Sequence, residues 1–387
     1  MAQTAKIVNT AGTAAGGISE IFSRDRPVFD PRVSATARFF VAPGQITNVY
    51  NFDRTAQTVL ATSTQGPGGA GSLGPGGMDT AGRFYFPSNE GVGTIGRFQS
   101  TSLTLIDHGI DNVGTAILHT LNGFTVVDRF GKNMFWRIAE TVNEGDIYAF
   151  SQTNMVYQWF VDASVIFGAG VGSYHVRNAV GDTDGNLWVV ISSAQNTATA
   201  TTLWRVATSG TAAQVANIGT SVGKAANMPM GYDSANASLL ITDHTNIIRF
   251  AISSTSVAAT ATAIPGGYSF QNNRMSFTNG VNGNKFWLAM VGTSGTDSVP
   301  RAYSLDATSL AVIDNIVITA AIDVYPIPDE GGGTKGSFEP VNIFRDTAAG
   351  TWWMQETGRV CMGIFSDSIV SDGFAGTATS GIILPLP

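Results

Sequence analysis

One unit recurs along this chain, and its period limits what the chain can become. Its clearest copy runs from Val180 to Gly219, VGDTDGNLWVVISSAQNTATATTLWRVATSGTAAQVANIG. A polar turn, Asp182-Thr183-Asp184-Gly185-Asn186, launches an apolar strand from Leu187 to Ile191. A small polar loop leads to Leu203-Trp204-Arg205-Val206, and Thr208-Ser209-Gly210 turns the chain into an alternating run from Ala213 to Ile218. The pattern predicts turn, strand, loop and then a hairpin.

The same turn-plus-strand signature stands at five further places. Asp79 to Gly82 precedes Arg83-Phe84-Tyr85-Phe86, and Asp128 to Lys132 precedes Met134-Phe135-Trp136. Asp233 to Asn236 precedes Ser238-Leu239-Leu240-Ile241, and residues 279–284 precede Lys285-Phe286-Trp287-Leu288. Asp346 to Gly350 precedes Thr351-Trp352-Trp353-Met354. With Tyr85, Trp136, Trp188, Leu240, Trp287 and Trp353 taken as equivalent, the spacings are 51, 52, 52, 47 and 66 residues. The last is lengthened by the Pro/Gly insert from Tyr325 to Gly336.

A period near ~50 residues with about four strands per unit is that of a β-propeller blade. One twisted four-stranded sheet cannot cover both of its faces, whereas sheets stacked face to face cover each other. Two stacked β-sandwiches would also supply short strands, but they require no fixed period. The expectation is an all-β chain, a propeller of six or seven four-stranded blades over residues 36–387, with an irregular N-terminal arm over residues 1–35. The hairpin from Ile46 to Thr62 is expected to complete a blade with the C-terminal strand from Gly381 to Leu386. Gln65 to Gly77, QGPGGAGSLGPGG, is expected to be a loop.

Composition narrows the function classes. Of 387 residues only 13% are charged, 45 are Gly, and the formal net charge is −7. No cluster of Lys or Arg interleaves with aromatic residues, which argues against nucleic-acid binding through a basic face. No stretch approaches the ~20 apolar residues of a membrane span. The N-terminal stretch has no continuous apolar run, so no secretory signal is expected. The single cysteine, Cys361, excludes an intrachain disulfide and suits a chain made in a reducing cytoplasm.

The signature DTDGNLWVV followed by TLWRVATSGTAAQVANI resembles the blades of β-propellers of the NHL and lactonase-like kind, over about residues 79–370. That resemblance implies a fold and no particular activity. In composition, as a Cys-poor, charge-poor all-β chain with Gly-rich insertions and an irregular N-terminal arm, the chain resembles tail hub and nozzle proteins of short-tailed bacteriophages. This second resemblance implies a non-enzymatic virion protein, a homo-oligomeric ring contacting other tail proteins, made in the host cytoplasm. The alternative is a propeller enzyme or carbohydrate-binding module acting on surface polysaccharide.

Candidate chemistry is sparse. Asp182, Asp184 and Asn186 open like a calcium loop, but the twelfth position is Ser193 rather than Glu, so turn-capping is the expected role. His108, His119, His175 and His244 are dispersed, and Asp107-His108 and Asp243-His244 are adjacent pairs whose members point to opposite faces of a strand. Glu140 and Glu144 read as a solvated loop, and Gly168, Gly170 and Gly172 lack the following helix that a dinucleotide site needs. Trp159, with Tyr157 and Phe160, is an aromatic cluster outside the repeat register. No catalytic, cofactor or metal residue is assigned.

Overall fold

In the computed structural model the described residues are the strands named below and their tight turns; side chains are described within 77–85, 96–99, 106–107, 125–138, 146–162, 178–191, 201–218, 230–241, 246–252 and 305–313. The best copy of the repeat shows how one unit forms. Strands His175–Gly181, Leu187–Ser192, Thr199–Val206 and Ala212–Ser221 pair in that order as an antiparallel meander, which we name sheet 4. Leu187, Val189 and Ile191 alternate with Trp188 and Val190, and all five are buried. Both faces of the strand are therefore covered, as expected of an inner strand in stacked sheets.

The turns follow from two residue types. Asp182 N–H donates to the Asn186 carbonyl at 3.0 Å, and Gly185 N–H donates to the Asp182 carbonyl at 3.1 Å. Gly185 has φ +85°, which glycine adopts without the Cβ penalty. Gly82 and Gly210 close identical three-residue turns, at φ 78° and 83°. This is the hairpin in which a left-handed residue follows a type I turn.

Six more meanders flank this one in sequence. Sheet 1 contains Val28–Phe29, Arg38–Val41, Val49–Asp53 and Thr58–Ser63. Sheet 2 contains Gly77–Met78, Arg83–Ser88, Thr94–Gln99 and Leu105–Gly109. Sheet 3 contains Phe124–Val127, Met134–Ile138, Ile147–Ser151 and Tyr157–Val161. Sheet 5 contains Met230–Asp233, Ser238–Thr242, Asn246–Ile252 and Val257–Ala263. Sheet 6 contains Met275–Thr278, Lys285–Met290, Arg301–Asp306 and Val312–Val317, with Ala375–Thr377 added in parallel at its outer edge. Sheet 7 contains Pro340–Asp346, Thr351–Glu356 and Cys361–Ser366, and its fourth strand is Lys6–Asn9. A two-stranded ribbon, Ile327–Pro328 with Thr334–Lys335, lies within the Pro/Gly insert. No helix occurs among the described residues, and so none long and apolar enough to cross a membrane.

Two expectations meet the structure differently, and a third falls partly outside the described residues. The stretch 1–35 supplies two paired strands, Lys6–Asn9 and Val28–Phe29. The hairpin around residues 49–63 pairs with Arg38–Val41 in sheet 1, while 381–386 lies outside the described residues. Gly77, read as the end of a loop, begins a strand: a Cβ there would lie 2.3 Å from Val127 Cγ2. Only glycine allows sheets 2 and 3 to approach so closely at their first strands.

The chain divides into two compact units, one of residues 24–221 and one of residues 222–387 with 1–23. Within the first, sheet 3 is covered on both faces. Tyr85 of sheet 2 packs with Val127, Phe135, Tyr148, Phe150 and Met155 on one face. On the other, Trp136, Ile138, Ile147, Ala149 and Val161 meet Ala179, Leu187, Val189, Ile191 and Val206 of sheet 4. Phe135 stacks on Phe150 at 5.0 Å and meets Tyr85 at 4.9 Å with the rings tilted by 42°, spacings at which rings contribute beyond burial alone. In the second unit Leu239, Leu240 and Ile241 of sheet 5 are likewise buried without alternation of exposure.

The register fixes the equivalences that the spacing suggested. Tyr85, Trp136 and Trp188 each stand two residues after the residue whose carbonyl closes the turn: Arg83, Met134 and Asn186. The turn at 128–133 is two residues longer than the other two, which is why Trp136 lies eight residues after Asp128 whereas Tyr85 and Trp188 lie six after Asp79 and Asp182. Leu240 occupies the same ladder position, opposite Arg249, as Tyr85 opposite Arg97 and Trp188 opposite Arg205.

Candidate functional site

Four buried aspartates stand at the first turns of sheets 2 to 5. Asp79, Asp128, Asp182 and Asp233 are all 1–2% exposed, and each is the residue that enters this turn. Burying a carboxylate is costly unless its oxygens are hydrogen-bonded, and here the turn itself supplies the donors. Asp182 Oδ1 accepts from the N–H groups of Asp184 and Asn186 at 2.9 Å each. Its Oδ2 accepts from Asn186 Nδ2 at 2.8 Å and Trp188 Nε1 at 2.7 Å. Asp128 accepts from the N–H groups of Phe130, Lys132 and Asn133. Asp233 accepts from Ala235 N–H at 3.0 Å and Asn236 Nδ2 at 2.6 Å.

The calcium-like spacing of Asp182, Asp184 and Asn186 is thus the spacing of a capped turn. Asp184 donates its backbone N–H to Asp182 rather than sharing a ligand position with it. Among the described residues no group of three or more His, Cys, Asp or Glu side chains converges.

Sheet 2 carries a larger network that the sequence did not reveal. Asp79 Oδ2 accepts from Tyr85 Oη at 2.8 Å and from Arg83 Nε at 2.6 Å. Arg97, 6% exposed, forks onto Asp107, with Nε to Oδ1 at 2.7 Å and Nη2 to Oδ2. Its Nη1 also donates to the carbonyls of Gln152 and Thr153 in sheet 3. Gln152 in turn donates from Nε2 to the carbonyls of Asp128 and Met134, at 2.8 and 2.7 Å. A guanidinium with five donors in a rigid fork suits this double duty of ion pair and carbonyl clamp. Burial, with the adjacent charge and hydrogen bond of Asp79, pushes the Tyr85 hydroxyl well above its ordinary value. Burial alone would lower the Arg97 pKa, but hydrogen bonds with Asp107 and Tyr85 outweigh it and the net shift is upward.

Sheet 3 grips sheet 4 at the corresponding place. Trp159 Nε1 donates to the Thr208 carbonyl at 2.7 Å, and the indole lies over Gly210, where a Cβ would sit 3.1 Å from Trp159 Cδ2. Tyr157 and Phe160 pack instead on the opposite face, against Phe150 and Tyr148. The aromatic cluster is therefore split between two interfaces and forms no single stacking platform.

Asp107 is committed to Arg97, and His108 follows it on the outer strand of sheet 2. His175 opens the first strand of sheet 4, and Cys361 stands opposite Asn9 in sheet 7. His119, Asp243, His244, Glu140, Glu144, Gly168, Gly170 and Gly172 lie outside the described residues. The residues that sequence reasoning missed are Arg97 and Gln152, and it named Asp107 only as the neighbour of His108. The one signal in the sequence was a cation inside the strand Thr94–Gln99, which is otherwise apolar or small at its centre.

No family model and no curated protein matches the sequence. Solved structures do. The β-propeller domain of Myceliophteria thermophila Cps50 (Swd1) is 10% identical, with TM-score 0.54 over 90% of this chain and 98% of that one. Chaetomium thermophilum Raptor is 11% identical, with TM-score 0.60 over 93% of this chain and 29% of that one. The extracellular domain of the one-component system BT4673 from B. thetaiotaomicron is 10% identical, with TM-score 0.57 over 95% of this chain; the chain spans 42% of its length. Together with the repeated four-stranded meander and its face-to-face packing, these likenesses show the fold: the chain is a β-propeller.

Proposed function

We propose that this propeller is a non-enzymatic structural component of a bacteriophage tail, assembling with copies of itself into a ring and contacting other tail proteins. The observation that carries the reading is where apolar side chains reach solvent. Among the described residues the exposed large apolar ones are Ile106, Phe130, Val156, Val312 and Ile313. Ile106 lies on the outermost strand of its sheet, Val312 and Ile313 lie on the fourth strand of sheet 6 ahead of its short pairing with Ala375–Thr377, and Val156 immediately precedes the outermost strand of sheet 3. Outer strands with apolar side chains and open edges are association surfaces. Support also comes from the buried aspartates, each of which holds a turn, and from the low charge content of 13%.

Sedimentation velocity over a range of concentrations, with negative-stain imaging, tests the assembly. A closed multimer is expected, and a chain that remains monomeric at all concentrations overturns the reading. Antibody against the chain should then label the tails of phage particles recovered from the source cells. Labelling of the host cell alone would overturn the virion assignment.

A further inference from the structure

We propose that the outer edge of sheet 6 is a strand-docking site for a second copy of this chain, filled across copies by the C-terminal segment that pairs there within one chain. The proposal rests on the assembly reading above and names its contact. Ala375–Thr377 runs parallel to Val312–Val317, with Asn315 opposite Ala375, Ile316 opposite Gly376 and Val317 opposite Thr377. The ladder is three residues long and of the parallel type, the less stable per residue, so the segment is easily released.

The start of that outer strand is exposed. Among the described residues the pairing reaches only Asn315–Val317, and Val312 and Ile313 before it are 46% and 40% exposed. An edge strand with exposed apolar residues is a template for pairing with another chain. The chain uses the same device at sheet 7, where Lys6–Asn9 covers the outer edge of Cys361–Ser366. Edge addition by terminal segments is therefore this molecule's own mode of contact.

The donor segment has the reach. Residues 367–374 join sheet 7 to Ala375, and eight extended residues span up to about 26 Å. Residues 378–387 include Ile382, Ile383, Leu384 and Leu386. An apolar stretch of this kind favours burial against a neighbour over exposure. Exchange of an identical element between copies replaces each backbone hydrogen bond by an equivalent one, so it requires no new surface.

Paired positions across neighbouring strands lie about 4.8 Å apart, within the range a disulfide bridges. In a Cys361→Ser background, Asn315→Cys combined with Ala375→Cys should close within one chain in dilute solution. Failure to close overturns the register and the proposal with it. An affinity-tagged Asn315→Cys chain is then mixed with an untagged Ala375→Cys chain at high concentration under oxidising conditions. A tagged–untagged disulfide dimer is expected, several-fold above a control in which Thr308→Cys replaces Asn315→Cys. If the wild-type chain is multimeric but no such dimer exceeds the control, strand exchange is overturned and the assembly reading stands. If the wild-type chain is monomeric and no dimer forms, both fail.

Discussion

Asp182 shows how one residue converts a sequence pattern into a fixed turn. Its two oxygens accept four hydrogen bonds, two from backbone and two from the buried side chains of Asn186 and Trp188. Asp182→Ala should cost about 2–4 kcal/mol, because buried donors left without acceptors carry their desolvation penalty. Asp184→Ala, on the exposed side of the same turn, should stay within about 0.5 kcal/mol of wild type. Urea denaturation midpoints compare the two, and calcium added to the wild type should leave its midpoint unchanged. Tyr85 supplies a pH signature. Its folded pKa lies above the unfolded value of about 10, so the folded state holds the proton that the unfolded chain loses. The associated stability is fully present below about pH 10 and is lost as pH rises through the folded value. Denaturation measured at increasing alkaline pH should show a shallower decline in Tyr85→Phe than in wild type.

Between elements, the decisive feature is how the sheets touch. Sheet 2 anchors on sheet 3 through Arg97 on the Gln152 and Thr153 carbonyls, and sheet 3 anchors on sheet 4 through Trp159 on Thr208. Each contact is made to the hairpin turn between the third and fourth strands of the next sheet. Close approach at the first strands depends on Gly77. Gly77→Ala should destabilise by about 1–3 kcal/mol, as overpacking does, by driving a Cβ into Val127. Pairing it with Val127→Ala should recover part of the loss, whereas additive losses in a double-mutant cycle would show that the two sites do not touch. Trp136 sits on the face toward sheet 4 with its Nε1 unpartnered, so its contribution there is apolar contact.

For the whole molecule, the notable pairing is that of the two ends of the chain. Lys6 stands opposite Ile364 and Asn9 opposite Cys361, so the last sheet is complete only when the N-terminus has returned to it. Such a contact closes a very long loop and should form late in folding. Removing residues 1–5 should leave the thermal transition unchanged, since among the described residues the pairing begins at Lys6. Removing residues 1–9 should lower it by several degrees, because one kcal/mol shifts the midpoint of a large domain by about 2–4 °C. Equal transitions for the two truncations would mean that the terminal strand adds no stability. This also means that removing the whole stretch 1–35 tests folding together with assembly, and the cysteine pairs above separate the two.

The sequence by itself determined what is local. The period of about fifty residues, the Asp and Gly that begin and close each turn, and the aromatic two residues past its closure are all short-range consequences of turn chemistry and strand alternation. Tyr85, Trp136 and Trp188 were legible for that reason. Only the tertiary structure decided the rest. Lys6–Asn9 and Val28–Phe29 are too short to carry a period, and their strand character comes from partners elsewhere in the chain. Gly77 belonged in composition to a loop, and only the nearness of Val127 makes it a strand residue. Arg97 and Asp107 are ten residues apart on neighbouring strands, and their meeting over the turn of sheet 3 depends on twist and stacking that no local pattern encodes.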